Sequence, residues 1–170
     1  MLETALSNSY TTSAIQRRIA LLKEFFEYAF YATEPRQPTE ELFKDFAQVK
    51  EIESEHAEAV LMWGQKLFGT VTAGTLYAQI NALLNDLKEV PVLTLYTPVK
   101  FSHDELAVLG KRIRSLSGKQ LLLDDHVDSY LSAGCAFVWN GGYHDYSLSF
   151  FLSRKRAELT TLITRYGGAN

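Results

Sequence analysis

At Pro91 the hydrophobic pattern of the chain changes period, and that switch constrains its fold more than any other feature. Before it, apolar residues recur every three or four positions, the signature of helices with one face buried. After it stands Val92-Leu-Thr-Leu-Tyr-Thr97, short and rich in β-formers, followed by a helical stripe and a second short apolar run. The pattern predicts an α+β chain: an N-terminal helical domain over residues 1–89, then a small α/β domain over residues 90–170. At 170 residues the chain has the length of one ordinary domain or two small ones.

Ile15, Ile19, Leu22, Phe26 and Phe30 follow helical spacing, with Arg17, Arg18, Lys23, Glu24 and Glu27 elsewhere around the cylinder. A second apolar line, Leu21, Phe25 and Tyr28, runs on a neighbouring face. Such a helix either lies deep in a bundle or covers a core while offering a face to a partner, and the periodicity admits both. Glu34-Pro-Arg-Gln-Pro38 breaks it, and Thr39 is placed to cap a short second helix carrying Leu42, Phe43 and Phe46. Ile52, His56, Ala59, Val60, Trp63 and Leu67 mark a third helix, which Gly69 can terminate, and Leu76, Ile80, Leu83, Leu84 and Leu87 a fourth. Residues 11 to 89 are thus expected to form a four-helix unit.

In the C-terminal half, Ser102-His-Asp-Glu105 has the form of a capping box. Leu106, Leu109, Ile113 and Leu116 carry the helix it starts, with Gly118 as its C-terminal cap. Lys119 to Leu123 is expected as a second strand, making a parallel βαβ unit with the first. Asn140-Gly141 lies between two β-rich runs, and Asn-Gly tolerates the positive φ angles of a two-residue hairpin turn. Asp145 or Ser147 can then cap a last helix with the stripe Leu148, Phe151, Leu152, Leu159, Leu162 and Ile163, ended by Gly167 and Gly168.

Charge and chemistry exclude several classes of function. A net charge of −3 gives no field for nucleic acid or an anionic membrane. No stretch is long and apolar enough to cross a bilayer, so no direct membrane insertion is expected. The N-terminus lacks the apolar or Arg-rich character of a leader. Cys135 is the sole cysteine, which suits a reducing compartment and reads as a small buried apolar residue. Glu53-x-x-His56 has the spacing of half a di-iron site, but no second copy follows, so no metal is expected. Asp124, Asp125, His126, His144 and Asp145 contain acid–base groups with no sign of convergence, and no phosphate-binding glycine motif is present. The expectation is no catalytic residue and no cofactor. Arg154-Lys-Arg156 is a basic run on the last helix, suited to solvent or to an acidic partner helix.

The run from Val127 to Leu148, Val-Asp-Ser-Tyr-Leu-Ser-Ala-Gly-Cys-Ala-Phe-Val-Trp-Asn-Gly-Gly-Tyr-His-Asp-Tyr-Ser-Leu, resembles the C-terminal signature of the δ subunits of F-type rotary ATP synthases, the family that includes the oligomycin-sensitivity-conferring subunit. Val127, Asp128, Leu131, Gly134, Asp145 and Ser147 coincide with it. The family precedes this run with a strand, a Pro-Leu-Ser/Thr helix start and a Gly-Lys, and here Pro98-Val-Lys-Phe-Ser102 and Gly118-Lys119 occupy those places. The resemblance covers residues 91 to 165. Ser129 stands for the usual Pro and Ala133 for the first Gly of a pair. The family's N-terminal domain normally has six helices and opens with Arg-Tyr-Ala, which is not found here, so the resemblance is to a divergent or shortened member.

The resemblance implies a non-catalytic stator subunit, peripheral to the energy-transducing membrane on its F1-facing side. That side is the bacterial cytoplasm, or the matrix or stroma of an organelle. Its N-terminal domain would hold N-terminal segments of the α subunits on the α3β3 head, and its C-terminal domain would join b-type helices of the peripheral stalk. On this reading Leu21, Phe25 and Tyr28 contribute to the head-facing surface, and Phe151, Leu152, Leu159 and Ile163 to stalk packing. A helical and α+β adaptor of another assembly is the alternative.

Overall fold

The computed structural model describes residues 2–167. Its elements, in chain order, are α1 (Leu2–Ser7), α2 (Thr12–Tyr31), α3 (Glu40–Val49), α4 (Ser54–Gly64), α5 (Leu76–Lys88), β1 (Val92–Thr97), α6 (His103–Ser117), β2 (Leu122–Val127), β3 (Gly134–Trp139), β4 (Gly142–Ser147) and α7 (Leu148–Gly167). The chain is α+β, helical before Pro91 and built on a four-stranded mixed sheet after it. The expected helices are present, and α1 is an addition that six residues are too few to announce by periodicity.

α2 is the central helix of the bundle. Thr11 caps it, its hydroxyl accepting from the Ala14 amide at 3.2 Å. Both apolar lines are buried: Ile15, Ile19, Leu22 and Phe26 on one, Leu21 and Phe25 on the other. The Phe25 ring packs on Phe26, Phe43, Phe46 and Phe68, with centroids 5.1 to 5.7 Å away. Edge-to-face and tilted contacts of this kind add to the area term that drives burial. The core continues through Val60 and Trp63 of α4, Leu76, Ile80 and Leu83 of α5, and Leu122 of β2. α4 ends at Gly64, ahead of the expected stop at Gly69. A β-carbon at Gly64 would meet the ring of Phe68, which folds back over it.

The strand order is β2-β1-β3-β4, with β1 parallel to β2 and antiparallel to β3. The capping box of α6 forms in full, Ser102 and Glu105 exchanging bonds, and Gly118 takes the left-handed conformation at its end. Asn140 and Gly141 adopt φ of 49° and 76°, as a two-residue hairpin turn requires. The second strand departs from expectation: it is Leu122–Val127, not Lys119 to Leu123. Pairing with β1 begins at Val92 opposite Leu122, while the Leu121 carbonyl, turned away from β1, accepts from Arg114 Nε at 2.8 Å. Asp124 is accepted in the strand because its carboxylate receives the Thr12 hydroxyl at 3.0 Å and lies 3.0 Å from His126.

The helical and α/β segments are joined along the α1–α2 loop. The Leu123 amide donates to the Tyr10 carbonyl at 2.8 Å, and Thr11 forms a parallel bridge to Leu123, so this loop covers part of the outer edge of β2. Arg114 of α6 reaches the same loop, bonding the carbonyls of Leu6 and Ser9 with its guanidinium over the Tyr10 ring.

Candidate functional site

The two sets of residues expected to meet partners have opposite fates. On α2, Leu21 is 1% exposed and Phe25 0%, whereas Tyr28 is 44% exposed. The expectation of a head-facing line is therefore corrected for Leu21 and Phe25. Phe43 and Phe46 on α3, with Phe68 beyond α4, close over them, and what read as a second face is core. Tyr28 alone of the three reaches solvent, one side of its ring against Phe46. Tyr31 and Tyr77 are also exposed near this end of α2, where the Tyr77 hydroxyl donates to Glu27 at 2.7 Å and Lys23 lies over the Tyr77 ring.

On α7 the expected residues are at the surface. Phe151 is 49% exposed, Leu152 46%, Leu159 36% and Ile163 69%, and Leu148 and Leu162 are similarly open. Among the described side chains from Phe151 onward, none is buried. A 20-residue helix would normally bury an apolar stripe to offset the entropy of ordering it, and this one leaves its stripe to solvent. It meets the body through β4, and at its first residue the Leu148 amide donates to the Ala133 carbonyl at 2.9 Å. Local contacts run along the rod: Lys155 pairs with Glu158 at 2.7 Å, Arg154 lies over the Phe150 ring, and Thr160 bonds back to the Arg156 carbonyl. Gly168, expected to help end α7, lies outside the described residues.

The residues that carry the family resemblance form the mount for this helix. Val127 ends β2, half exposed. Asp128 receives the Tyr130 amide on its carboxylate at 2.9 Å and the Leu131 amide on its carbonyl at 3.1 Å, making a turn that buries Leu131. Gly134 opens β3 with φ of 87°. Asp145 accepts from the Ser147 amide at 2.8 Å, and the buried Ser147 hydroxyl accepts from the Phe150 amide at 3.2 Å, capping α7. Asp128, Gly134, Asp145 and Ser147 each meet a backbone requirement of the turn, hairpin or cap. Of the expected capping pair, Ser147 holds the cap and Asp145 holds Ser147.

The acid–base groups do not gather into one site. His144 stacks on Phe137, and strand alternation sends Asp145 to the other face of the sheet. His126 stacks on Tyr96 beside Asp124 at the surface. Cys135 is half-buried in β3. Among the described residues no group of three or more His, Cys, Asp or Glu side chains is arranged to hold a metal ion, and no helix is long and apolar enough to cross a membrane.

One cluster was not legible as such in the sequence. Arg18, expected on the polar side of α2, is 2% exposed. It donates to the Asn8 carbonyl and the Ser9 hydroxyl, pairs with Glu55, and donates from Nε to Nδ1 of His56 at 3.3 Å. His103, the first residue of α6, stands edge-on to His56 with ring centroids 5.3 Å apart and lies 3.7 Å from Glu55. Burial pushes the His56 pKa below the ordinary histidine value, and Arg18 pushes it the same way. Burial lowers Arg18 too, opposed by Glu55. The available signal was position: Arg18 falls between Ile15 and Leu22 on the buried stripe.

No protein-family model matches the chain, and no curated protein matches it.

Proposed function

We propose that this chain is a non-catalytic stator subunit of the δ type in a rotary ATP synthase, linking the α3β3 head to b-type helices of the peripheral stalk. The observation that carries the reading is α7: a capped helix held at one end by β4, whose apolar stripe and basic run Arg154 to Arg156 face solvent. A stator resists rotation by binding under load, so it needs an anchored helix with a free adhesive face more than it needs a reactive centre. The order of strand, turn, hairpin and cap that the family's signature residues build here is the second support.

The proposed stalk contact is Phe151, Leu152, Leu159 and Ile163, flanked by positive charge that suits an acidic amphipathic helix. The proposed head contact moves from Leu21 and Phe25 to the exposed tyrosines Tyr28, Tyr31 and Tyr77, a residue type that anchors interfaces well. The proposed location is peripheral to the energy-transducing membrane, on the F1-facing side.

The test is co-purification of the tagged chain from its native host, beside a version ending at Ser147. The full chain is expected to bring down α, β and b subunits, and the shortened one to lose b while keeping the head. Retention of b by the shortened chain overturns the stalk assignment. An adaptor of another assembly is the second reading, since the same exposed helix would serve it; recovery of a defined complex without ATP synthase subunits would favour it.

A further inference from the structure

The Arg18 cluster lies where the helical segment meets the α/β segment, and one of its bonds, to His56, depends on protonation state. Arg18 Nε carries a hydrogen and has no free lone pair with which to accept one, so its bond to His56 Nδ1 exists only while that nitrogen keeps its lone pair. Protonated His56 would point N–H at N–H, with a cation beside a buried guanidinium. The charged groups facing His56 are Arg18 from α2, Glu53 and Glu55 from its own segment, and His103 from α6. Glu55 is already engaged by Arg18, and Glu53 is an exposed carboxylate 3.8 Å from His56 Nε2. Both carboxylates act to raise the His56 pKa, and burial together with Arg18 outweighs them.

Arg18 also anchors the loop that joins the two segments, through the Asn8 carbonyl and the Ser9 hydroxyl. Two residues further on, Tyr10 and Thr11 pair with Leu123 of β2, and Arg114 of α6 grips the Leu6 and Ser9 carbonyls. The His103 ring stands edge-on to His56 at the same junction, on the α6 side. Protonation of His56 thus adds positive charge at a junction whose central residue is already a cation.

From this geometry we infer that His56, with Arg18, is a pH-sensitive latch on the junction between the helical and α/β segments, closed while His56 is neutral and loosened when it is protonated. The sign follows from the lowered pKa of His56. Its contribution is complete above the ordinary histidine value of about 6.5 and is lost as pH falls through the lower folded value. The inference does not depend on the stator reading, since it concerns a contact within the chain.

The experiment is amide hydrogen exchange on the full chain, as protection factors corrected for intrinsic rates, compared between about pH 7 and about pH 5. The Leu123 amide reports the junction and the β3–β4 hairpin amides serve as the control. Leu123 is expected to lose about tenfold in protection at the lower pH while the hairpin holds, an effect of about one pKa unit in scale. His56→Gln, whose amide oxygen can still accept from Arg18 but does not ionise, is expected to abolish that loss. A loss of equal size in His56→Gln, or no loss in the native chain, overturns the latch. Should that variant not fold, the His56 ring nitrogens of the native chain are followed by NMR. Protonation of Nδ1 in step with Leu123 deprotection supports the latch, and protonation without it overturns it.

Discussion

A β-carbon on Gly134 would stand 2.3 Å from the carbonyl oxygen of Tyr146, because β3 and β4 close on each other there while Gly134 holds φ of 87°. Two separate constraints meet at one residue: space and backbone conformation. Gly134→Ala is expected to destabilise the chain by about 1 to 3 kcal/mol, or more where the backbone oxygen cannot yield. Urea denaturation followed by circular dichroism checks this. Equal midpoints for variant and native chain would mean that β3 and β4 can separate at that point without cost.

The burial of Phe25 and the exposure of Tyr28 predict a sharp contrast one helical turn apart. Phe25→Ala should cost about 3 to 5 kcal/mol through lost burial and a cavity among Phe43, Phe46 and Phe68. Phe25→Asp is expected not to fold. Tyr28→Ala should move stability by no more than about 1 kcal/mol, since nearly half of the side chain is already in water. Thermal melts of the three variants decide it, and a well-folded Phe25→Asp protein would restore Phe25 to the surface.

For α7 the expectation runs the other way. Phe151→Asp and Ile163→Asp should leave the melting of the bundle core unchanged, because neither side chain is buried against it. On the stator reading, both should weaken capture of a b-type helix by about tenfold or more. Titration of the labelled stalk helix against each variant measures the effect. Unchanged binding by both would place the stalk contact elsewhere.

Glu105 gives a pH prediction of its own. The Ser102 amide and hydroxyl both donate to its carboxylate, and they lower its pKa. A lowered carboxylate pKa contributes stability above the ordinary glutamate value and loses it as pH falls through the folded one. The start of α6 should therefore fray in acid. Chemical shifts of residues 103 to 106 recorded from neutral to acid pH should show that change, and Glu105→Gln should remove most of it.

How far the sequence was legible depends on how local each determinant is. The capping box at Ser102, the Asn140-Gly141 turn and the Thr39 cap are each decided within a few residues, and each forms where the sequence places it. The second line of α2 is decided by aromatic rings that arrive from residues 43 to 68, so periodicity alone left it open. β2 was misplaced for a related reason. Asp124, Asp125 and His126 are poor strand formers by themselves, and pairing with β1 and the Thr12 contact override that preference. In the candidate site, the apolar stripe of α7 could be read from spacing, but not that it would remain uncovered. The Arg18, His56 and His103 cluster spans three distant segments, and nothing in the local pattern joins them.

The bridge from Tyr10 and Thr11 to Leu123 bears on the order in which the nascent chain can acquire structure. The bundle core from α2 to α5 draws mainly on residues that emerge early, and can pack while the sheet is still being made. The loop after α1 has to wait for β2, more than a hundred residues later, and closing so long a span is slow relative to local packing. During synthesis, then, the N-terminal turn stays without its strand partner from the first residues made until β2 has emerged, and that interval is when a chaperone or an early partner would find it open.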